Sequence, residues 1–294
     1  MIAISTSFDY ILVTPARNEE NMLPNLAMDI ANQSVKPIAW VIVDDASSDK
    51  TWSIIKDLEK GFSWIGGVRF EPGQENTYAY ERYAEVVRRG FERAIEICHK
   101  YSVEPDFLAV TDADIKLESD YFERIIKAFQ LNRRLGIASG FVYEKGMSLR
   151  ELQESNAKPR GCALVFRKEC YEMIDGFQGH ANSLVKAENR NWHIEVFKSL
   201  KVFHRRKSWS ERRYFFTAGK SAYYLNYHPL NAFLTGVYYV IKVSPSKGLS
   251  YLTSYFQSFL LRKKKIQDEE IKEYYWSSFR RLLKRIKNVQ AVRE

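Results

Sequence analysis

Phe107-Leu108-Ala109-Val110-Thr111-Asp112-Ala113-Asp114 is an apolar run that stops at two carboxylates separated by one residue. A short apolar run ending in turn residues reads as a buried strand, and hard oxygen ligands at its tip are what a divalent cation bridging a diphosphate requires. On its own, Asp-x-Asp is equally a strand end running into a turn. Its weight comes from two earlier segments of the same kind. Ile11-Leu12-Val13 runs into Thr14-Pro15-Ala16-Arg17-Asn18-Glu19-Glu20, and Val41-Ile42-Val43 runs into Asp44-Asp45-Ala46-Ser47-Ser48-Asp49-Lys50-Thr51. Ser47, Ser48 and Asp49 are candidate N-caps for the helix that follows. With helices expected near 19–33, 50–60 and 80–100, three strands alternate with helical stretches, which predicts an α/β fold whose parallel sheet holds ligands at its carboxyl edge.

The remaining segments extend this frame. Gly61 to Thr77, with Gly66-Gly67 and Pro72-Gly73, reads as a strand followed by a mobile loop. Tyr121, Phe122, Ile125, Ile126 and Phe129 recur at helical spacing within 120–134, a stripe that reads as core. Residues 143–158 are polar and aperiodic, and read as a loop over the ligand. Leu230 to Val243 is apolar and aromatic, but Lys242 and Ser244-Pro245 leave it too short for a membrane span. Leu249 to Leu261 places Tyr251, Tyr255, Phe256 and Phe259 just before Arg262-Lys263-Lys264-Lys265. Aromatics beside a basic cluster predict a helix lying in an anionic lipid interface, with its rings at headgroup depth. The other reading is a helical hairpin packed on the main domain with a solvated basic face.

Charge and cysteine usage narrow the partners. The 294 residues carry 45 Lys and Arg against 36 Asp and Glu, a formal +9. Such a surplus suits nucleic acid, anionic lipid or a diphosphate. It is concentrated beyond residue 200, in His204-Arg205-Arg206-Lys207, Arg212-Arg213, Arg262 to Lys265 and Arg280 to Lys287. Interleaved with aromatics there, it points to an anionic membrane surface and not to nucleic acid. Cys98, Cys162 and Cys170 are an odd, widely spaced set, which argues against a disulfide framework or a zinc site. Residues 1–15 lack the pattern of a signal peptide. The expected location is cytoplasmic, peripheral at the inner face of the cell membrane.

Thr14-Pro-Ala-Arg-Asn-Glu-Glu20, Ala31-Asn-Gln33, Val43-Asp-Asp-Ala-Ser-Ser-Asp-Lys-Thr51 and Asp112-Ala-Asp114 together resemble the nucleotide-sugar half of inverting glycosyltransferases of family 2, which have the GT-A fold. Arg88-Arg-Gly-Phe91 with Ala94 is similar to a helix segment of dolichol-phosphate-mannose-synthase-like members. Arg160 to Arg167 and Asp175-Gly-Phe177 resemble the family's acceptor-side strand and its Gly-Gly-Phe turn. The resemblance implies a Rossmann-like, mostly parallel sheet flanked by helices, with a C-terminal helical extension. It divides the chain into a GT-A domain over 1–225 (nucleotide half about 8–115, acceptor half about 116–225) and a basic, aromatic extension over 226–294.

The same resemblance implies roles. Asp114 would coordinate Mg2+ or Mn2+ at the diphosphate, and Asp112 would contact the ribose or support the metal. Asp45 would accept a hydrogen bond from the base N–H, with Asp44 orienting its loop. Pro15, Ala16, Arg17, Glu19 and Ala113 would line the nucleotide, and Arg88 would clamp the diphosphate. His204 would complete the metal shell or hold diphosphate. Family members commonly carry Glu-Asp after the Gly-Gly-Phe turn, the Asp acting as base, whereas this chain has Glu188-Asn189. Asn189 cannot take a proton, so Glu188 is the candidate base, with Asp175 and Glu195 in reserve. Trp192 and His193 are candidates for the acceptor pocket.

The expected partners are a nucleotide-diphosphate sugar as donor and a lipid-linked or glycan acceptor. Two other classes compete. A catalytically inactive, glycosyltransferase-like binding protein is suggested by Asn189. A sugar nucleotidyltransferase would show a Gly-rich basic loop after the first strand, and Pro15-Ala-Arg-Asn-Glu19 has no glycine there.

Overall fold

The computed structural model describes residues 8–71, 79–206 and 212–278. The chain forms two compact units, one of residues 1–77 with 81–208 and one of residues 78–80 with 209–294.

The first unit is built on an eight-stranded sheet. Its parallel half comprises β1 (Tyr10–Ala16), β2 (Ala39–Asp45), β3 (Ile65–Phe70) and β4 (Phe107–Thr111), separated by α1 (Leu23–Ala31), α2 (Thr51–Gly61) and α3 (Ala79–Lys100). The chain continues through β5 (Ile115–Leu117), α4 (Tyr121–Leu131), β6 (Leu135–Tyr143), α5 (Leu149–Ser155), β7 (Ala163–Arg167), α6 (Lys168–Met173), α7 (His180–Asn189) and β8 (His193–His204). The spatial order is β3-β2-β1-β4-β7-β6-β8-β5. β7 runs antiparallel to both β4 and β6, β8 is parallel to β6, and β5 closes the edge antiparallel to β8.

The apolar strand runs follow from burial on both faces. Tyr10, Leu12, Trp40, Ile42, Phe107 and Ala109 enter one core, and the alternating Ile11, Val13, Val41, Val43, Leu108 and Val110 enter the other. A strand covered on both sides must be apolar at every position, not at every second one. The α4 stripe, Tyr121, Phe122, Ile125, Ile126 and Phe129, is wholly buried against the first of these cores, as its spacing predicts.

Gly90 shows how closely α3 lies on the sheet. A Cβ at this position would sit 2.5 Å from Val13 Cγ1 and 2.9 Å from Val43 Cγ2. Alanine is the better helix former by about 1 kcal/mol, but overpacking a filled core costs about 1–3 kcal/mol. Gly90→Ala is therefore expected to lower the urea midpoint of unfolding; a higher midpoint would show that α3 can retreat from β1 and β2.

Two local expectations are corrected. Residues 143–158 are not a continuous loop, because α5 forms within them on a capping box: Ser148 Oγ accepts from Glu151 N–H at 3.3 Å, and Glu151 Oε2 accepts from Ser148 N–H at 2.7 Å. Ser47 and Ser48 do not cap α2, whose N-cap position is Lys50, although Asp49 Oδ1 does accept the Thr51 N–H at 3.0 Å. The strand expected after Gly61 is β3, whereas residues 72–78 of the following loop lie outside the described residues.

The second unit contains α8 (Arg212–Tyr224), α9 (Pro229–Lys242), α10 (Pro245–Leu260) and α11 (Glu269–Trp276). α9 and α10 pack antiparallel through small residues: Gly236 meets Leu252, and Gly248 meets the Val240 backbone. Gly219 of α8 seats against Tyr251 and Ser254 of α10. Phe215, Ala222, Tyr223, Ala232, Tyr251 and Tyr255 form the core.

Tyr251 (3% exposed) and Tyr255 (1% exposed) thus point inward, which corrects the expectation that they sit at headgroup depth. The packing against α8 takes precedence over the amphipathic reading of α10 alone. Among the described residues no helix is long and apolar enough to cross a membrane. The basic stretch Arg280 to Lys287 lies outside the described residues.

Candidate active site

β1 and β4 pair only as far as Val13 opposite Val110, while β1 continues beside β2 to Ala16 opposite Asp44. Pro15, which has no N–H to offer a ladder, lies in this stretch beyond the β4 pairing. The gap is bridged by Thr14 and Thr111, whose hydroxyls are 2.9 Å apart, with Trp40 Nε1 donating to Thr14 Oγ1 at 3.0 Å. A crevice beyond the carboxyl ends of diverging strands is the expected ligand position in open α/β sheets.

The loops after β1 and β2 are locked to each other. Asn18 N–H donates to Ser47 Oγ at 2.9 Å, Ser48 N–H to Asn18 Oδ1 at 2.9 Å, and Glu19 N–H to Thr51 Oγ1 at 2.7 Å. Glu20 N–H donates to Asp49 Oδ2 and Lys50 N–H to Glu20 Oε2, both at 3.1 Å. Asn18 (φ 57°) and Ala46 (φ 55°) adopt the left-handed conformation that lets both loops turn this tightly. The polar residues that read as helix caps therefore serve as cross-links between two loops.

Asp44 and Asp45 diverge within this frame. Asp44 is fully buried and accepts the Ser47 N–H at 3.1 Å; Arg69 Nε lies 3.2 Å from its other oxygen without hydrogen-bond alignment. Its position suits holding the loop. Asp45 is partly accessible, bound by Arg82 at 2.7 Å and approached by Arg17 at 3.8 Å. Arg82 itself is fixed over the Phe70 ring, 4.1 Å from its centroid.

The Asp-x-Asp segment links β4 to β5, and pairing of Ile115 with His204 brings the end of β8 alongside it. Asp114 receives Arg206 Nε at 2.7 Å, and Arg206 also pairs with Glu19. His204 Nδ1 stands 3.6 Å from Asp114 Oδ1, and Arg205 N–H donates to the Asp114 carbonyl at 2.8 Å. Tyr83 hydroxyl donates to Asp112 Oδ1 at 3.3 Å.

The three carboxylates respond differently to this setting. Burial raises the pKa of Asp112, and the neighbouring Asp114 charge raises it further, with His204, Tyr83 and Arg160 opposing. Burial also works to raise Asp114, but His204 and Arg206 outweigh it and hold that carboxyl below its ordinary value. Glu19 is raised by burial despite its pairing with Arg206. Asp114 is the carboxylate that stays ionised most readily.

Among the described residues, Glu19 Oε2 and His204 Nδ1 are buried beside Asp114 with no hydrogen-bond partner. Unsatisfied buried polar atoms cost about 1–3 kcal/mol each, so their pairing near Asp114 points to a ligand. Among the described residues no three His, Cys, Asp or Glu side chains converge as a complete metal set. Mg2+ and Mn2+ are usually held by one or two carboxylates with substrate phosphate and water supplying the rest; Asp114 fits that donor set, and His204 stands beside it as a nitrogen donor.

The acceptor-side candidates sit on α7, on β8 and in the turns before them. Glu188 pairs with Lys158 at 2.6 Å and lines a cavity of about 690 Å³ together with Phe141, Asn156, Ile194 and Glu195. Asp175, in a left-handed turn, pairs with Lys186 at 3.5 Å. His193 Nδ1 lies 3.8 Å from Glu195, and Trp192 packs against the second core with its Nε1 unpartnered. Arg88 Nη1 donates to the Phe177 carbonyl at 3.2 Å, tying α3 to the Gly-Phe turn.

Several residues at the site escape sequence reading. Tyr83 and Arg82 on α3 reach Asp112 and Asp45, and Arg160 pairs with buried Glu144. His180 opens α7 with its ring packed on Gly161, where burial and then the Arg160 charge push its pKa down to about 4. No local pattern marks Arg82, Tyr83 or His180, since each acts across a long stretch of chain; Arg160 opens the stretch that resembles the acceptor-side strand, but its pairing with Glu144 is set only by the fold.

A family model described as Glycosyl transferase family 2 matches residues 11–187, more than half of the chain. The 4,4'-diaponeurosporenoate glycosyltransferase of Staphylococcus haemolyticus is 27% identical over 132 residues, covering 44% of this chain and 30% of that protein. The match thus spans less than a third of that relative's length. Mannosyltransferase PcManGT from Pyrobaculum calidifontis, solved with GDP-Man and Mn2+, superposes with a TM-score of 0.53 at 14% identity, over 85% of this chain and 75% of that one. A mycobacterial protein superposes with a TM-score of 0.50 at 12% identity, over 73% and 72%. These superpositions identify the fold as GT-A. With the sequence match across both halves of the sheet, the chain belongs to glycosyl transferase family 2.

Proposed function

We propose that the protein is a metal-dependent, inverting glycosyltransferase that moves a sugar from a nucleoside-diphosphate donor to a lipid-linked or glycan acceptor. The observation that carries this reading is the cluster at the strand ends: Glu19 and Asp114 on either side of Arg206, with Asp112 next in the same segment and, among the described residues, His204 Nδ1 without a hydrogen-bond partner. The Mn2+ and GDP-Man in the Pyrobaculum calidifontis enzyme are consistent with it.

In this reading Asp45 accepts from the base N–H, and Asp44 holds the loop. Pro15, Ala16, Arg17, Glu19 and Ala113 line the nucleotide. Asp112 faces the ribose, while Asp114 and His204 would hold Mg2+ or Mn2+. Bound there, the cation would neutralise charge on the departing nucleoside diphosphate. Arg206, already seated between Glu19 and Asp114, adds fixed positive charge at the same place, where preorganised charge is most effective. Arg88, whose Nη1 is engaged by the Phe177 carbonyl, clamps the diphosphate through its remaining donors. Glu188 takes the acceptor hydroxyl proton from the cavity it shares with Glu195. The protein works peripherally at the inner face of the cell membrane.

A thermal-shift panel of UDP-, GDP- and CDP-sugars with Mn2+ tests the donor half. A ligand at about 100 times its Kd stabilises by about 2.7 kcal/mol, so one base should raise Tm clearly and the others less. Asp45→Ala should weaken that donor by about 1.5–3 kcal/mol, the range for a lost charge-assisted hydrogen bond. An unchanged affinity would leave Asp45 as the partner of Arg82 alone, and no shift with any nucleotide would remove the donor reading. Donor hydrolysis without acceptor separates a working site from an inactive binding protein.

A further inference from the structure

We propose that the α9–α10 hairpin docks the protein on an anionic lipid surface through the side turned away from α8. α9 carries no charged residue from Pro229 to Ile241. Its Ala232 and Gly236 are buried toward α10, and Tyr239 meets Phe215 of α8. The opposite face shows Leu230, Phe233, Leu234, Tyr238 and Ile241, all exposed, Ile241 by 70%. These residues repeat at three- and four-residue intervals, so they form one continuous stripe along the helix.

α10 packs beside it. Tyr251, Ser254, Tyr255 and Ser258 are among its buried residues, and Gly219 of α8 rests on Tyr251 and Ser254. Its exposed side shows Leu249 and Leu260 near the two ends, 57% and 78% exposed, with Thr253 and Gln257 exposed between them. The uncovered apolar stripe among the described residues is thus that of α9. Contiguous apolar area of this kind marks an interaction site, not an ordinary solvated helix.

Charge identifies the occupant. Residues 212–267 contain nine Lys and Arg and no Asp or Glu. Lys242 stands at the turn end of the hairpin, and Arg262 and Lys264 at the other, just before Asp268 and Glu269 open α11; Lys247 lies instead over the Phe215 ring of α8. An apolar face on two helices that themselves carry only cations matches acyl chains flanked by anionic headgroups. A second copy of the chain would bring like charges together and be repelled. At 14 residues, α9 is suited to lying in the interface, not crossing it.

This inference deepens the lipid-linked acceptor reading, yet vesicle binding needs neither donor nor turnover, so the two can fail separately. The test is flotation of the full-length protein with phosphatidylcholine vesicles, with and without phosphatidylglycerol. The protein should float with the anionic vesicles and be partly released by salt. Phe233→Gln with Leu234→Gln and Ile241→Gln should cut the bound fraction by roughly tenfold or more, since buried apolar area drives insertion. Leu131→Gln, at an equally exposed leucine on α4, should change nothing. If the triple variant unfolds by circular dichroism, Ile241→Gln alone should still lose binding several-fold. Failure of the native protein to float, equal flotation of the variants, or equal binding to neutral vesicles would overturn the proposal. So would light scattering that finds a dimer which the triple variant splits, because the face would then be an interface between copies.

Discussion

Replacing Asp114 by alanine is expected to abolish sugar transfer, by roughly a thousandfold or more, and to remove any Mn2+ dependence of donor binding. Asp114 is the carboxylate whose pKa the His204 and Arg206 contacts hold down against burial, so it presents full negative charge to a cation. Asp112 is a poor substitute, because the Tyr83 hydroxyl already occupies one of its oxygens. Arg206 would keep Glu19 as a partner, so the loop should survive the substitution and circular dichroism should be unchanged. Turnover that still requires Mn2+ in Asp114→Ala would take the metal role away from this residue.

The second large effect concerns the proton acceptor. Glu188→Gln preserves shape and can still accept a hydrogen bond from Lys158, but it cannot accept a proton. Transfer should fall by roughly a hundredfold or more while donor affinity stays within a few fold, the signature of a group that acts in the transition state and not in donor binding. The comparison variant is His180→Gln at the start of α7, where the ring is neutral at physiological pH because its pKa is near 4. If Glu188→Gln transfers normally and His180→Gln does not, the base belongs to the first turn of α7 beside Gly161, and the Glu188 cavity has another use.

Membership of the family and the GT-A frame were legible because their signals are local. β1, β2 and β4 are buried on both faces, so each appears as an unbroken apolar run, and each ends in the acids that the sheet edge then displays. The α4 stripe was legible for the same reason, since burial on one face imposes a helical period. α5 carried an equally local signal, Ser148 and Glu151 at capping-box spacing, within a segment whose polarity suggested a loop.

Tertiary structure decided everything that depends on distant residues meeting. Ser47 and Ser48 have the chemistry of caps, but the loop after β1 reaches them first and turns them into cross-links. Arg206 meets Glu19 across 187 positions and Asp114 across 92, a meeting made by the antiparallel pairing of β5 with β8. Glu188 was chosen by its place in a motif, and only folding set it opposite Lys158 in a cavity with Glu195. In α10 the aromatic residues fit a lipid interface as a pattern, but Gly219 and Gly236 let α8 and α9 approach closely enough to bury Tyr251 and Tyr255. Periodicity determines that a helix has an apolar face; which neighbour covers that face is settled by packing, and among the described residues nothing covers that of α9.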